Sequence, residues 1–414
     1  MATLGSLGSL GSLGSLGSLG SLGSLGSLGS LGSLGSLGSL GSLGSLAGSY
    51  DSGSTAEALI WTHDGIAGPW SPPTADPMPL DDENGTTSDW VQQLDRLSPA
   101  IIASLVDFEL VSRLGFTVEA DGMAVRHLET AAPAYHTLFK IRRPTISIFK
   151  DQLNYLATYA DLRQDRAAEI LTQLSPPLAF LSAIAYIHPD RTPRTIQLIA
   201  AALRLANVVE MRVKTALACK RPLEFSSQVQ PMILTPTHGS FPSGHSCESF
   251  LLAFVLYKLI TSSTNNPQFA GTSAENWSRK LLQLAARIAI NRTVAGVHFP
   301  ADSAAGCVLG LTLGNYFVKR VQPNSGVNVS ADAYLFDGTR FPLRAEENPG
   351  AGIFADFVWW QYFDVAAGAQ RAQTPLGVAT PFVERTGSFA LQNSERSPIL
   401  TWLWNKAVAE WDTP

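Results

Sequence analysis

From Ser98 onward the chain reads as long apolar stretches broken by short polar clusters. Ser98-Pro99 opens the run AIIASLVDFELVSRLG, with the serine as N-cap, the proline in the first turn and Gly115 as terminator, which predicts a helix. Alanine- and leucine-rich segments over 145–174, 176–187, 192–219, 245–262, 274–291 and 300–321, separated by prolines or Ser/Asn clusters, predict further helices. A last short helix is expected over 395–411, with Trp402, Trp404 and Trp411 as packing anchors. Strand-like alternation is scarce, so the pattern predicts an all-α helical bundle with loop-rich N- and C-terminal extensions.

The ends of the chain follow other rules. From Leu4 to Ser45 the triplet Leu-Gly-Ser repeats without a break. A period of three fits neither helix nor strand, and Gly and Ser disfavour helix. Residues 1–49 are therefore expected to be a disordered low-complexity tract, with a sticky assembly tail as the alternative. Residues 50–95, rich in Gly, Pro, Asp and Thr, look like an extended arm that packs through Trp61, Trp70 and Trp90. The expected organisation is completed by a helical domain over 96–325, which carries the chemistry, and a loop-rich extension over 326–414 packed on the bundle.

Composition narrows the classes. Hydrophobic residues make up 45% and charged residues 15%, which implies a large core or a covered dimer face. A net charge of −5 without basic stripes argues against a nucleic-acid partner. The longest apolar runs, near 250–260 and 305–318, are interrupted by polar or glycine positions, and no membrane span is expected. No basic n-region with a continuous apolar h-region is recognisable, so the expectation is a soluble protein, cytoplasmic or non-classically exported, with localisation left open because the Leu-Gly-Ser tract could hide or replace a leader. Cys219, Cys247 and Cys307 are too dispersed for a disulfide framework or a zinc site and read as small buried residues.

Three groups carry candidate chemistry. Lys214 and Arg221 stand seven apart, two turns of one helix, and are expected on the same side of its end. They are either a solvated pair or the cations of an anion site. The stretch HGSFPSGHS, from His238 to Ser246, precedes the apolar run SFLLAFVLYKLI. A helix opening there offers free N–H groups and its positive dipole end; Gly244 permits close backbone approach, and Ser243 can donate to an oxygen. The plainer alternative is an N-cap serine beside a buried His245. Third, Asn291-Arg292-TVAGV-His298-FPA-Asp302 adds a cation and sets a carboxylate where it can hold one nitrogen of His298. Alternatively, Asp302 is a first-turn acid and His298 a core histidine.

In this order, Lys-x6-Arg-Pro, Pro-Ser-Gly-His and Arg-x5-His-x3-Asp resemble the signature shared by the type 2 phosphatidic acid phosphatase superfamily and the vanadium-dependent haloperoxidases, over Lys214 to Asp302. The resemblance implies that Lys214, Arg221, Arg292, Ser243 and the Gly244 N–H hold a phosphate or vanadate. It implies that His298 is the axial group, a nitrogen ligand to vanadium or a nucleophile on phosphorus. His245 is then the acid/base partner, and Asp302 orients His298. An acid partner for Arg292 is expected among Asp151, Asp161 and Glu210, without a choice between them.

Phosphate and vanadate share such a pocket. His238, the NRxxxGVH form with Asn291, and the lack of spans or a secretory leader lean toward a vanadium-dependent haloperoxidase. Its cofactor would be vanadate, and its reactants hydrogen peroxide, a halide and a small organic acceptor. His238, as a second site histidine, leans toward bromide or iodide. The alternative is a soluble phosphatase working through a phosphohistidine; a non-catalytic oxyanion-binding relative is the third reading. The resemblance also implies a homodimer, with a monomer left open.

Overall fold

The computed structural model describes residues 89–130, 133–174, 177–263, 274–323, 328–374 and 381–412. The Leu-Gly-Ser tract and most of the 50–95 arm, including Trp61 and Trp70, lie outside the described residues. The helices are α1 (Pro99–Val111), α2 (Ile146–Tyr159), α3 (Arg163–Thr172), α4 (Leu178–Ala185), α5 (Pro193–Leu217), α6 (Gly244–Ser262), α7 (Ala274–Val294), α8 (Pro300–Val321) and α9 (Pro398–Ala409). Their starts follow local chemistry. Ser98 caps α1 and Ser397 caps α9, each with a proline next in line, and Thr145 caps α2.

The centre of the bundle is α6, which packs against α5, α7 and α8. It is buried almost all round, from Gly244 through Ile260, as its continuous apolar run requires. The tightest contact is with α8. Gly306, Gly310 and Gly314 recur every four residues along one face of α8. A Cβ on Gly306 would strike the Ser243 carbonyl and the Ser246 side chain, and one on Gly310 would strike the Cys247 carbonyl. The missing side chains let two backbones meet at the start of α6.

The all-α expectation is corrected: the helices share the fold with a five-stranded mixed sheet, ordered β1 (Leu114–Val118), β2 (Gly122–Glu129), β3 (Ala134–Arg142), β4 (Val329–Asp337), β7 (Val383–Leu391). Neighbours are antiparallel except β3 and β4, which run parallel with Phe139 opposite Tyr334. Two short strands, β5 (Phe363–Asp364) and β6 (Ala369–Gln370), pair separately. Alternation is muted for physical reasons. Met123, Ala124 and Val125 of β2 are all buried, on both faces, and register shifts interrupt β2–β3 and β4–β7. Gly115 does not end α1. It lies in β1, where the Tyr135 ring occupies the space of its missing side chain.

Two helix boundaries also differ. The segment expected as one helix over 145–174 is split by a 3-10 turn at Ala160–Leu162. The last helix begins at Pro398 rather than 395, behind a 3-10 turn at Asn393–Glu395.

Candidate oxyanion site

The candidate residues lie where the C-terminal end of α5, the N-terminal end of α6, the last turn of α7 and the first turn of α8 come together. Lys214 sits in the last turn of α5. Arg221 does not share that helix, which corrects the two-turn argument. The helix stops at Leu217, Ala218 takes a left-handed conformation (φ 47°), and Arg221 is extended ahead of a single helical turn at Pro222–Phe225. The turn still delivers both cations inward. Ser240 then pins the next loop, its N–H donating to Cys219 O (2.9 Å) and its hydroxyl to Lys220 O (2.9 Å). Ser243 caps α6, with Ser246 N 3.5 Å from its hydroxyl, and its own N–H donates to Asp302 O at 2.8 Å. The Ser246 hydroxyl donates to Ser303 O (2.7 Å). These bonds and the glycine face of α8 fix Ser243 and Gly244 relative to His298.

Asp302 Oδ2 accepts from His298 Nδ1 (3.0 Å) and from Phe299 N (2.9 Å), so one carboxylate caps α8 and orients the ring. Arg221 donates from Nε to His238 O (3.0 Å) and from Nη1 to Val297 O (2.9 Å) and His298 Nε2 (2.9 Å). His238 Nδ1 stands 3.3 Å from Arg221 Nη2 and 3.0 Å from Gly239 O. The Lys214 ammonium donates to Pro242 O at 2.5 Å, with Gly239 O and Ser240 O each at 3.4 Å. Arg292 donates through Nη2 to Ile170 O (3.2 Å) and Gln173 Oε1 (3.0 Å). His245 Nε2 lies 3.1 Å from Gln173 O; a carbonyl only accepts, so that nitrogen carries the proton and Nδ1 carries the lone pair.

Three cations are thus buried together: Lys214, Arg221 and Arg292 are 1–2% exposed. Two carboxyls lie among them, Asp302 and Glu210. Burial pushes both up to about 7, against the opposing pull of Lys214 and Arg221. Burial pulls Lys214 down to about 8 and Arg221 and Arg292 to about 10. His245 and His298 fall well below the usual imidazole value, and His238 falls to about 3, first through burial and then through the nearby cations. The charges of Arg292, Lys214 and Arg221 all oppose protonation of His245.

The polar atoms left without partners point to what belongs there. Arg292 Nε and Nη1 and His238 Nε2 are buried and unbonded. Buried guanidinium N–H groups without acceptors are costly, and an oxygen-rich anion satisfies them. Among the described residues no cluster of His, Cys, Asp and Glu gathers as a cation site. The donors present fit a tetrahedral oxyanion, phosphate or vanadate alike.

Some participants were not legible. Glu210, one turn before Lys214, packs its carboxylate where a Cβ on Gly244 would lie, 2.8 Å from Oε1. It was one of three acids considered for Arg292 but sits with Lys214 and Gly244 instead. Asp151 is paired with Arg344. In place of an acid, Arg292 has Gln173, which also accepts from Asn291 Nδ2 (3.0 Å); Asn291 in turn reaches Glu169 Oε1 (2.9 Å). No motif marks Gln173 or Glu169; only their spacing of four on α3 and its end hinted at a shared face. The three thiols are buried; burial lifts Cys219 to about 12 and the other two well above their usual value.

Residues 196–325 match the model of the PAP2 superfamily. That stretch spans α5 through α8 and contains every candidate site residue. Among solved structures, the first transmembrane PAP2 type phosphatidylglycerolphosphate phosphatase from Bacillus subtilis is similar, at 20% identity over 42% of this chain and 81% of that chain, with a TM-score of 0.26. A likeness of that size carries no argument about chemistry. No curated protein matches the chain. Among the described residues, no helix is long and apolar enough to cross a membrane.

Proposed function

We propose that the protein is a vanadium-dependent haloperoxidase that oxidises a halide with hydrogen peroxide and so halogenates organic acceptors. The observation that carries this reading over a phosphatase is His238. Its Nδ1 lies 3.3 Å from Arg221, and its Nε2 is buried without a partner beside the oxyanion donors. A third imidazole in the site has no role in phosphoryl transfer, which needs one nucleophile and one acid. With its proton on Nδ1 toward Gly239 O, it offers a neutral Nε2 lone pair that can accept a hydrogen bond from bound peroxide.

Vanadate, when bound, would supply a Lewis-acidic centre that activates peroxide toward halide without changing oxidation state. The residues' tasks follow from their bonds. Arg221, Arg292 and Lys214 offset the charge of the oxygens, aided by the Ser243 hydroxyl and the Gly244 N–H at the positive end of α6. His298 keeps its proton on Nδ1, against Asp302, and its Nε2 lone pair would hold the vanadium. His245, with its proton on Nε2, has a basic Nδ1 that can accept a proton from incoming hydrogen peroxide. Its depressed pKa keeps it neutral at pH 7.

The test is bromination of monochlorodimedone by purified protein given vanadate, bromide and hydrogen peroxide, with phosphate as competitor. Vanadate-dependent, phosphate-inhibited bromination is expected. Hydrolysis of p-nitrophenyl phosphate without halide oxidation at any vanadate level would assign the same site to a phosphatase, with His298 as nucleophile.

A further inference from the structure

The far ends of α6 and α8 enclose a second cavity of about 280 Å³. It lies thirteen residues beyond His245 on one helix and thirteen beyond Asp302 on the other, roughly 20 Å away at 1.5 Å per residue. Its walls include Lys258, Asn315, Lys319, Asp332, Tyr334 and Gln370. None of these belongs to the site described above.

The charges in this cavity are unbalanced. Lys258 is half-buried, its ammonium 4.7 Å from the centre of the Tyr257 ring and 5.4 Å from that of Phe254. Burial and the charge of Lys319 both disfavour its ammonium form, and among the described residues no carboxylate offsets them. The acid in the wall, Asp332, is already engaged by Arg385 through Nη2 (2.6 Å) and Nε (2.9 Å). Lys319 lies in the last turn of α8, where the helix dipole favours a cation, but that does not account for a second lysine lining the same cavity. Asn315 Oδ1 is buried in the same wall without a hydrogen-bond donor. Gln370 is held by Val308 O (3.0 Å) and Thr312 (3.2 Å) and so gives the wall a fixed edge.

We propose that this cavity is a second anion site, which takes a small organic phosphate monoester between Lys258 and Lys319 and receives a hydroxyl of its alcohol part on Asn315 Oδ1. Two ammoniums lining one cavity match a dianion. The volume exceeds the needs of inorganic phosphate alone, and the orphaned amide oxygen calls for a donor that a bare phosphate at neutral pH supplies poorly.

Calorimetric titration with glycerol 3-phosphate tests this. The full-length protein should bind it, and Lys258→Met and Lys319→Met should each weaken binding at least about tenfold. Both variants should leave sulfate affinity at the first site and the melting temperature unchanged. His298→Ala, which disables the first site, should leave glycerol 3-phosphate binding in place, so failure of the haloperoxidase reading does not touch the result. Asn315→Leu should reduce the preference for glycerol 3-phosphate over inorganic phosphate. Binding lost in His298→Ala but kept in both lysine variants would overturn the proposal, as would no binding beyond the first site.

Discussion

Arg221 Nη1 donates to His298 Nε2 at 2.9 Å. A guanidinium can only donate, so Nε2 holds the lone pair and Nδ1 holds the proton that meets Asp302. The tautomer of the ring is fixed from both sides. Under the proposed function, the atom that an incoming vanadium or phosphorus would meet is the one with free electrons, and Arg221 would release it when an oxyanion enters. The guanidinium then has oxygens to bind in exchange.

Asp302→Asn removes the charge that makes His298 electron-rich while leaving an oxygen for the Phe299 N–H. Vanadate affinity, measured by equilibrium dialysis, should fall roughly 10- to 100-fold. The melting temperature should stay close to that of the parent, because the cap on α8 survives. An unchanged affinity would remove Asp302 from the orienting role.

Glu210 links the first site to pH. Its carboxyl is held up to about 7 by burial, so it is neutral below that and an anion above it. As pH rises from 6 to 8 a negative charge appears behind Gly244 and opposes an entering anion. Sulfate, which remains a dianion throughout, should bind about tenfold more tightly at pH 6 than at pH 8. Glu210→Gln should lessen that dependence, leaving the part that Asp302 and Lys214 contribute, and bind sulfate more tightly at pH 8. A slope that persists in the variant would assign the titration elsewhere.

Gly306→Ala places a methyl against the Ser243 carbonyl. The helices must separate, at a cost of about 1–3 kcal/mol in urea unfolding. Because Ser243 N–H bonds to Asp302 O across this contact, oxyanion affinity should fall with stability. A loss of stability with full affinity would show the cradle to be held independently of the glycine face.

Gln173→Leu takes the shared acceptor from Arg292 and Asn291. Two buried donors are left without it, which should cost about 1–3 kcal/mol in the anion-free protein. Bound sulfate should recover part of that loss, since Arg292 can turn to it. The readout is a larger sulfate-induced rise in melting temperature than in the parent at saturation.

Helices and site were unevenly legible. Serine and proline at helix starts act through local bonds, so α1 and α9 could be read from Ser98-Pro99 and Ser397-Pro398. Lys214, Arg221, Ser243, Gly244, Arg292, His298 and Asp302 could be named because their spacing resembles a known signature. Gln173 and the path to Glu169 could not, and Glu210 was open only as one of three acids for Arg292, since they reach the site through packing of α3 and α5 rather than through any local pattern. The sheet was missed for a related reason. Met123 to Val125 are covered on both faces, which erases alternation, and the turn that joins β1 to β2 at Ala120-Asp121 holds no Gly or Asn to mark a hairpin.

The parallel pairing of Phe139 with Tyr334 has a consequence for biosynthesis. When β1 to β3 leave the ribosome, the edge of β3 faces no neighbour, and its partner is not translated until α5 through α8 have followed. The nascent protein therefore carries an open hydrogen-bonding border from Arg142 until Val329 is made, the period in which intermolecular strand capture is most dangerous. β4 is the latch that closes this border, so truncation ahead of Val329 should yield aggregates even though every residue of the oxyanion cradle has been made.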